Sequence, residues 1–211
     1  MASGGQGRSN VKHPSRTISL MGIFGALIIL QAYIPMVGYI RIFPAWPAIS
    51  TIHLTVILGG VLLGIPGGAG LGLLWGVISL IKAYTSATDP MTLLLFQNPI
   101  IAIVPRVMVG IVAAAVFNLI APKVKTGLGA TVKLVAAGIL GALTNTGLVI
   151  VFTWLFFASR ATQVVAGADS ANLGLLLMAA FGINAIAEAA MAGIVTPILG
   201  RVLLAVQARR R

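Results

Sequence analysis

From residue 17 to the terminal arginines, apolar runs of about bilayer length follow one another with only short polar breaks. That succession leaves the chain little to fold into except helices packed side by side in a membrane. A span takes about 20 residues, so 211 residues hold roughly six helices with no stretch left for a separate soluble domain. Hydrophobic residues make up 59% of the chain and charged ones only 8%, too few to coat a soluble surface. The expected architecture is all-α and polytopic, with spans near 17–35, 50–64, 69–84, 99–120, 131–158 and from 173 past Pro197. Residues 1–16 read as a polar cytoplasmic tail, 17–205 as the six-helix domain and 206–211 as a basic cytoplasmic tail. The first apolar run lacks a convincing cleavage site and reads as a retained helix.

The breaks carry their own signals. MVGYIRIFPAWPAIS, with Tyr39, Pro44, Trp46 and Pro47, reads as an interfacial loop. IPGGAG reads as a tight turn, TSATDPMTLLLFQNP as an outer crossing and APKVKTGLG as a basic turn.

The net charge of +11 is distributed unevenly. Arg8, Lys12, Arg16, Lys123, Lys125, Lys133, Arg201 and Arg209 to Arg211 fall on the side that holds both termini. Arg41 and Arg160, with Lys82 at a span end, fall on the other. This asymmetry places both termini in the cytoplasm, and the basic clusters suit anionic membrane lipid. No basic face carries interleaved aromatics, so no nucleic acid is expected as a partner. Cysteine is absent, which excludes disulfides and thiol chemistry. With no second His or nearby acid beside His53, no metal is expected. GxxxxGK[ST] and HExxH are both missing and no Ser stands at a recognisable spacing from a base, so the chain is not expected to be an enzyme.

A few polar residues interrupt the oily segments, and each is costly there unless it faces protein or a cavity. At about 1.5 Å per residue, Arg106 lies roughly 10 Å in from the outer face, Trp75 roughly 14 Å, Asn184 roughly 16 Å and Asn145 roughly 20 Å. His53 falls shallower, at the outer start of its span. Overlapping depths on four helices, against an inner half of Ala, Gly, Val, Leu and Ile, describe a cup open to the outside rather than a pore. Arg106 has two readings: a structural pair with Glu188, the one acid besides Asp89 and Asp169, or a site awaiting a ligand carboxylate. Asn145 offers both donor and acceptor, whereas flanking Thr144 and Thr146 divide between ligand contact and bonds to backbone. Asn98 before Pro99 suits a helix cap and a ligand contact equally. Lys82 and Tyr84 complete the candidates, while Tyr33 and Trp46 suit the interfacial belt better. Gly22 and Ala26, four apart, form a small surface for close helix approach, a spacing repeated at Gly110/Ala114 and Gly138/Ala142.

The run IHLTVILGGVLLGIPGGAGLGLLWGVISL, with FQNPIIAIVPRVMVGIVAA and GALTNTGLVI, resembles the substrate-binding S components of energy-coupling factor (ECF) vitamin transporters. Over about residues 17–205, the NP…PR…VG run and the TNT segment most resemble the pantothenate-type members. The resemblance implies six helices with both termini inside a bacterial plasma membrane. It implies a vitamin bound from outside beneath the loops, and docking on a membrane coupling subunit and two ATPases. It implies no cofactor, since ATP is used by the partner subunits. It places a partner-docking motif at Gly22-Ile23-Phe24-Gly25-Ala26, with Gly where the family has Ala. Pantothenate, with one carboxylate, an amide and two hydroxyls, would set its carboxylate on Arg106 and its other groups on Asn145 and Asn98. His53, Trp75, Asn184, Lys82 and Thr144 are further ligand-binding candidates. Folate is the competing vitamin. A self-sufficient secondary transporter is the rival mechanism, against which the missing inverted repeat weighs; a membrane enzyme lacks a nucleophile.

Overall fold

The computed structural model describes residues 14–34, 36–40, 49–86, 90–120, 127–160, 169 and 171–209. Arg41, Trp46, Asp89, Lys123, Lys125 and most of the expected N-terminal tail lie outside them. The helices are α1 (Pro14–Tyr33), α2 (Ile52–Thr85), α3 (Pro90–Phe96), α4 (Pro99–Leu119), α5 (Gly127–Phe157) and α6 (Leu173–Arg209). A 3₁₀ turn, Ala158–Arg160, follows α5. Between α1 and α2 the chain makes one antiparallel bridge, β1 (Tyr39–Ile40) with β2 (Ile49–Ser50), pairing Tyr39 with Ser50.

Among the described residues, five helices are long and apolar enough to cross a membrane, where six spans were expected. The difference lies in α2, whose 34 residues contain a single non-helical residue, Gly64, at φ 78° and ψ −173°. Only glycine adopts that conformation without strain, and it folds the helix back on itself. A Cβ added to Gly68 would lie 2.9 Å from the Cα of Gly60, whereas a straight helix would separate them by about 12 Å. The turn expected over IPGGAG is therefore made just before it, at Gly64, and Pro66 sits in the first turn of the second leg, where its missing N–H costs little.

The second leg lies directly against α4. Added Cβ atoms on Gly68, Gly72 and Gly76 would collide with the backbones of Gly110, Arg106–Val107 and Ala102–Ile103. Glycines at i, i+4, i+8 present one bare stripe, and without hydrophobic pressure between helices such close packing is what holds them. Gly138 does the same for α5 against α6, where its Cβ would meet the Ala192 carbonyl at 2.5 Å. Phe24, Ile28 and Ala32 turn one face of α1 into the core while Ile23, Leu27 and Leu30 are exposed, as lipid-facing residues are. A second cluster closes the Ser50 end of the bundle, where Leu95 of α3 packs with Ile101, Val149, Leu173, Leu177 and Phe181. Within the segment read as a plain outer crossing, the chain thus forms a short helix. α6 is 37 residues, about 55 Å at about 1.5 Å per residue, against a hydrocarbon core of about 30 Å. It stays helical to Arg209, into the stretch expected as a basic tail.

Candidate functional site

Arg106 is placed by its own helix. Pro105 has no N–H to give, so the carbonyl of Ile101 four residues earlier is left open. The Arg106 side chain runs back toward the N-terminus of α4, as helical side chains do, and its Nη1 donates to that carbonyl at 2.8 Å. Proline and arginine in succession therefore create an acceptor and supply its donor. The guanidinium is only 4% exposed. It lies 4.5 Å from the ring centre of Phe96 and 5.3 Å from that of Trp75, which lends it favourable quadrupole contacts. Its Nε is buried with no hydrogen-bond partner. Among the described residues Nη1 alone is engaged, and no carboxylate stands within ion-pair distance. The Nε–Nη2 edge, which can grip a carboxylate with two parallel bonds, meets no hydrogen-bond acceptor among the described residues.

Trp75 is fully buried, and its Nε1 donates to the Tyr39 hydroxyl at 3.1 Å. That hydroxyl lies 3.4 Å from Ser79 Oγ. Since Tyr39 belongs to β1, the bridge between α1 and α2 is tied to the wall on which Arg106 rests.

Glu188 is a second buried ionisable residue, 4% exposed, with Lys133 of α5 a third at 5%. Of its two sequence readings, pairing with Arg106 is not the arrangement found; the two interact through space without forming an ion pair. One carboxylate oxygen of Glu188 accepts from the backbone N–H of Ser50 at 2.7 Å and the other from Thr146 Oγ1 at 3.4 Å. His53 is fully buried near the backbones of Ser50 and Glu188, and neither ring nitrogen has a hydrogen-bond partner. It lies in the first turn of α2, at the start of its span as expected, where the Ser50–Glu188 bond brings the chain against α6. Ser50 Oγ and Asn145 Oδ1 are also buried without partners, as are the hydroxyls of Thr153 on α5 and Thr196 on α6.

The remaining candidates are placed as follows. Asn98 caps α4, its Oδ1 accepting from Ile100 N at 2.9 Å. Asn184 is buried one helical turn before Glu188. Thr144 donates to the Leu140 carbonyl of its own helix at 2.6 Å. Lys82 donates to the Ala32 carbonyl, with the rings of Tyr33 and Tyr39 at 5.5 and 5.2 Å, and so binds α2 to the end of α1. Gly22 and Ala26 are exposed on α1, and a Cβ on Gly22 would meet nothing within 4 Å. Sequence reasoning passed over Phe96, Tyr39, Ser50 and the role of Thr146. Asp-Pro followed by an apolar run is a helix-start signal that could have revealed α3 and with it Phe96. Nothing periodic marks Tyr39 or Ser50.

At the opposite end of the bundle is an open cleft of about 790 Å³, lined by Val61, Leu62, Phe117, Ile198, Val202 and Arg201 among others. It shares no lining residue with the Arg106 region. Among the described residues, no three His, Asp or Glu side chains lie close enough to hold a metal ion.

Residues 16–200 match the family model described as "ECF transporter, substrate-specific component". The pantothenate transporter PanT of Leuconostoc mesenteroides subsp. mesenteroides is 34% identical over 190 residues, covering 88% of this chain and 91% of the relative. The pantothenic acid transporter PanT of Lactococcus lactis subsp. cremoris is 32% identical over 199 residues, covering 88% of this chain and 92% of the relative. Apolar helices of membrane-spanning length agree with that match over most of the chain. The chain belongs to the family of substrate-specific components of ECF transporters, multi-pass proteins of the bacterial plasma membrane.

Proposed function

We propose that this chain binds pantothenate from the outside and hands it to an ATP-driven import machine. The observation that carries the reading is the Arg106 guanidinium, buried against Trp75 and Phe96 with an open edge and, among the described residues, no acid on it. A buried cation left this way is costly, and a ligand carboxylate would satisfy it. Two relatives bearing the name of pantothenate transporters support the choice of vitamin. Asn145 Oδ1, lacking a partner, would accept from the ligand amide or a hydroxyl, and His53 and Asn184 would face the same groups. Asn98 and Thr144 already spend their side chains on α4 and α5, and Lys82 on α1, so they rank below Asn145 and His53.

Counting the two legs of α2 separately would give six crossings, and the excess of Lys and Arg on one side favours cytoplasmic termini. The outward small surface at Gly22 and Ala26 would meet a coupling subunit, with ATP used by two ATPase partners and no cofactor held here. Calorimetric titration of the detergent-purified chain with a panel of vitamins tests the reading. Tight binding of pantothenate, lost in Arg106→Ala, is the expected result. Preference for folate would reassign the ligand, and uptake by the chain alone in liposomes would revive the secondary transporter.

A further inference from the structure

We infer that Glu188 is a positioning residue: its carboxylate clamps the β1–β2 bridge to α6 and so sets how long a ligand stays beside Arg106. The inference rests on the reading of Arg106 as the ligand site. Three observations carry it. Glu188 is the one acid within the described helices, and it reaches across 138 positions to a backbone N–H at 2.7 Å. A carboxylate bonded this way is charge-assisted and strong. Ser50, the residue it holds, pairs with Tyr39 across the bridge. Tyr39 accepts in turn from Trp75, whose ring stands 5.3 Å from the Arg106 guanidinium. The bridge is therefore fastened on both strands, by α6 through Ser50 and by α2 through Tyr39. Thr146 steadies the second carboxylate oxygen from α5. Releasing Ser50 would leave a buried carboxylate without its strongest donor, so the bridge is held firmly to the wall of the site.

The native chain has no cysteine, so Ile40→Cys gives a single thiol on β1 whose labelling by a maleimide reports release of the bridge. In that background Glu188→Ala deletes the acceptor, and Ser50→Pro deletes the donor N–H while keeping the charge. Each is expected to speed both labelling of the detergent-purified chain and dissociation of radiolabelled pantothenate on the order of tenfold or more. Association should change little. Glu188→Gln retains an oxygen acceptor and is expected to stay within about threefold of the native rates. Should Glu188→Ala fail to fold, Ser50→Pro tests the same bond. Unchanged labelling in the folded variants overturns the clamp. Faster labelling with unchanged dissociation overturns its role in ligand retention. A native chain that binds no pantothenate defeats the reading of Arg106 instead, while labelling still reports on the clamp.

Discussion

Replacing Arg106 by alanine puts the strongest demand on this account. Nη1 is already spent on the Ile101 carbonyl, so a carboxylate would use the other edge, Nε with Nη2. Two charge-assisted bonds at about 1.5–3 kcal/mol each sum to about 3–6 kcal/mol. At about 1.4 kcal/mol per tenfold, that is a loss of roughly 10²- to 10⁴-fold in affinity. The group is buried, so solvent screening reduces the figure little. Arg106→Lys separates charge from geometry. A lysine keeps the cation but lacks the planar fork, and it must choose between Ile101 and the ligand. An intermediate loss, roughly 10- to 10²-fold, is expected. Titration calorimetry measures both, with gel filtration and thermal unfolding in detergent to establish that each variant is folded. A folded Arg106→Ala chain whose Kd for pantothenate stays within about threefold of native would refute the reasoning, because the open edge would then have no ligand.

Pro105→Ala restores an N–H that competes with Arg106 for the Ile101 carbonyl; affinity should fall several-fold while the melting temperature rises, as titration and thermal shift would report. Gly72→Val forces a side chain into the backbone of Arg106 and Val107, and should abolish recovery of folded chain by gel filtration, since overpacking against rigid backbone has no cheap relief. Gly22→Leu adds bulk where a Cβ meets nothing within 4 Å, so vitamin affinity should hold while co-purification with a coupling subunit falls; intact co-purification would remove α1 from the docking surface.

Hydropathy made the membrane architecture legible, because a bilayer demands long apolar helices and little else satisfies the backbone within it. The placement of cations gave an orientation to propose, and the scarcity of acids singled out Arg106. Pro105 even encoded that arginine's first partner, since a proline opens a carbonyl at a fixed distance along its own helix. Asn98 as a cap was equally readable, being a matter of two neighbouring residues.

What escaped the sequence were bonds between distant segments. Glu188 has Arg106 as the obvious companion in the linear text, yet the fold gives it the N–H of Ser50, a donor every residue but proline carries and no pattern can advertise. Phe96 reached Arg106 only because α3 formed between two longer helices. His53 is fully buried beside the bridge and α6, although nothing in its own segment announces such neighbours. Local chemistry and solvent preference are written residue by residue, and they determined the helices, their turns and the presence of a buried cation. Which groups meet across the bundle depends on how closely backbones approach at Gly68, Gly72 and Gly110, and only tertiary packing decides that.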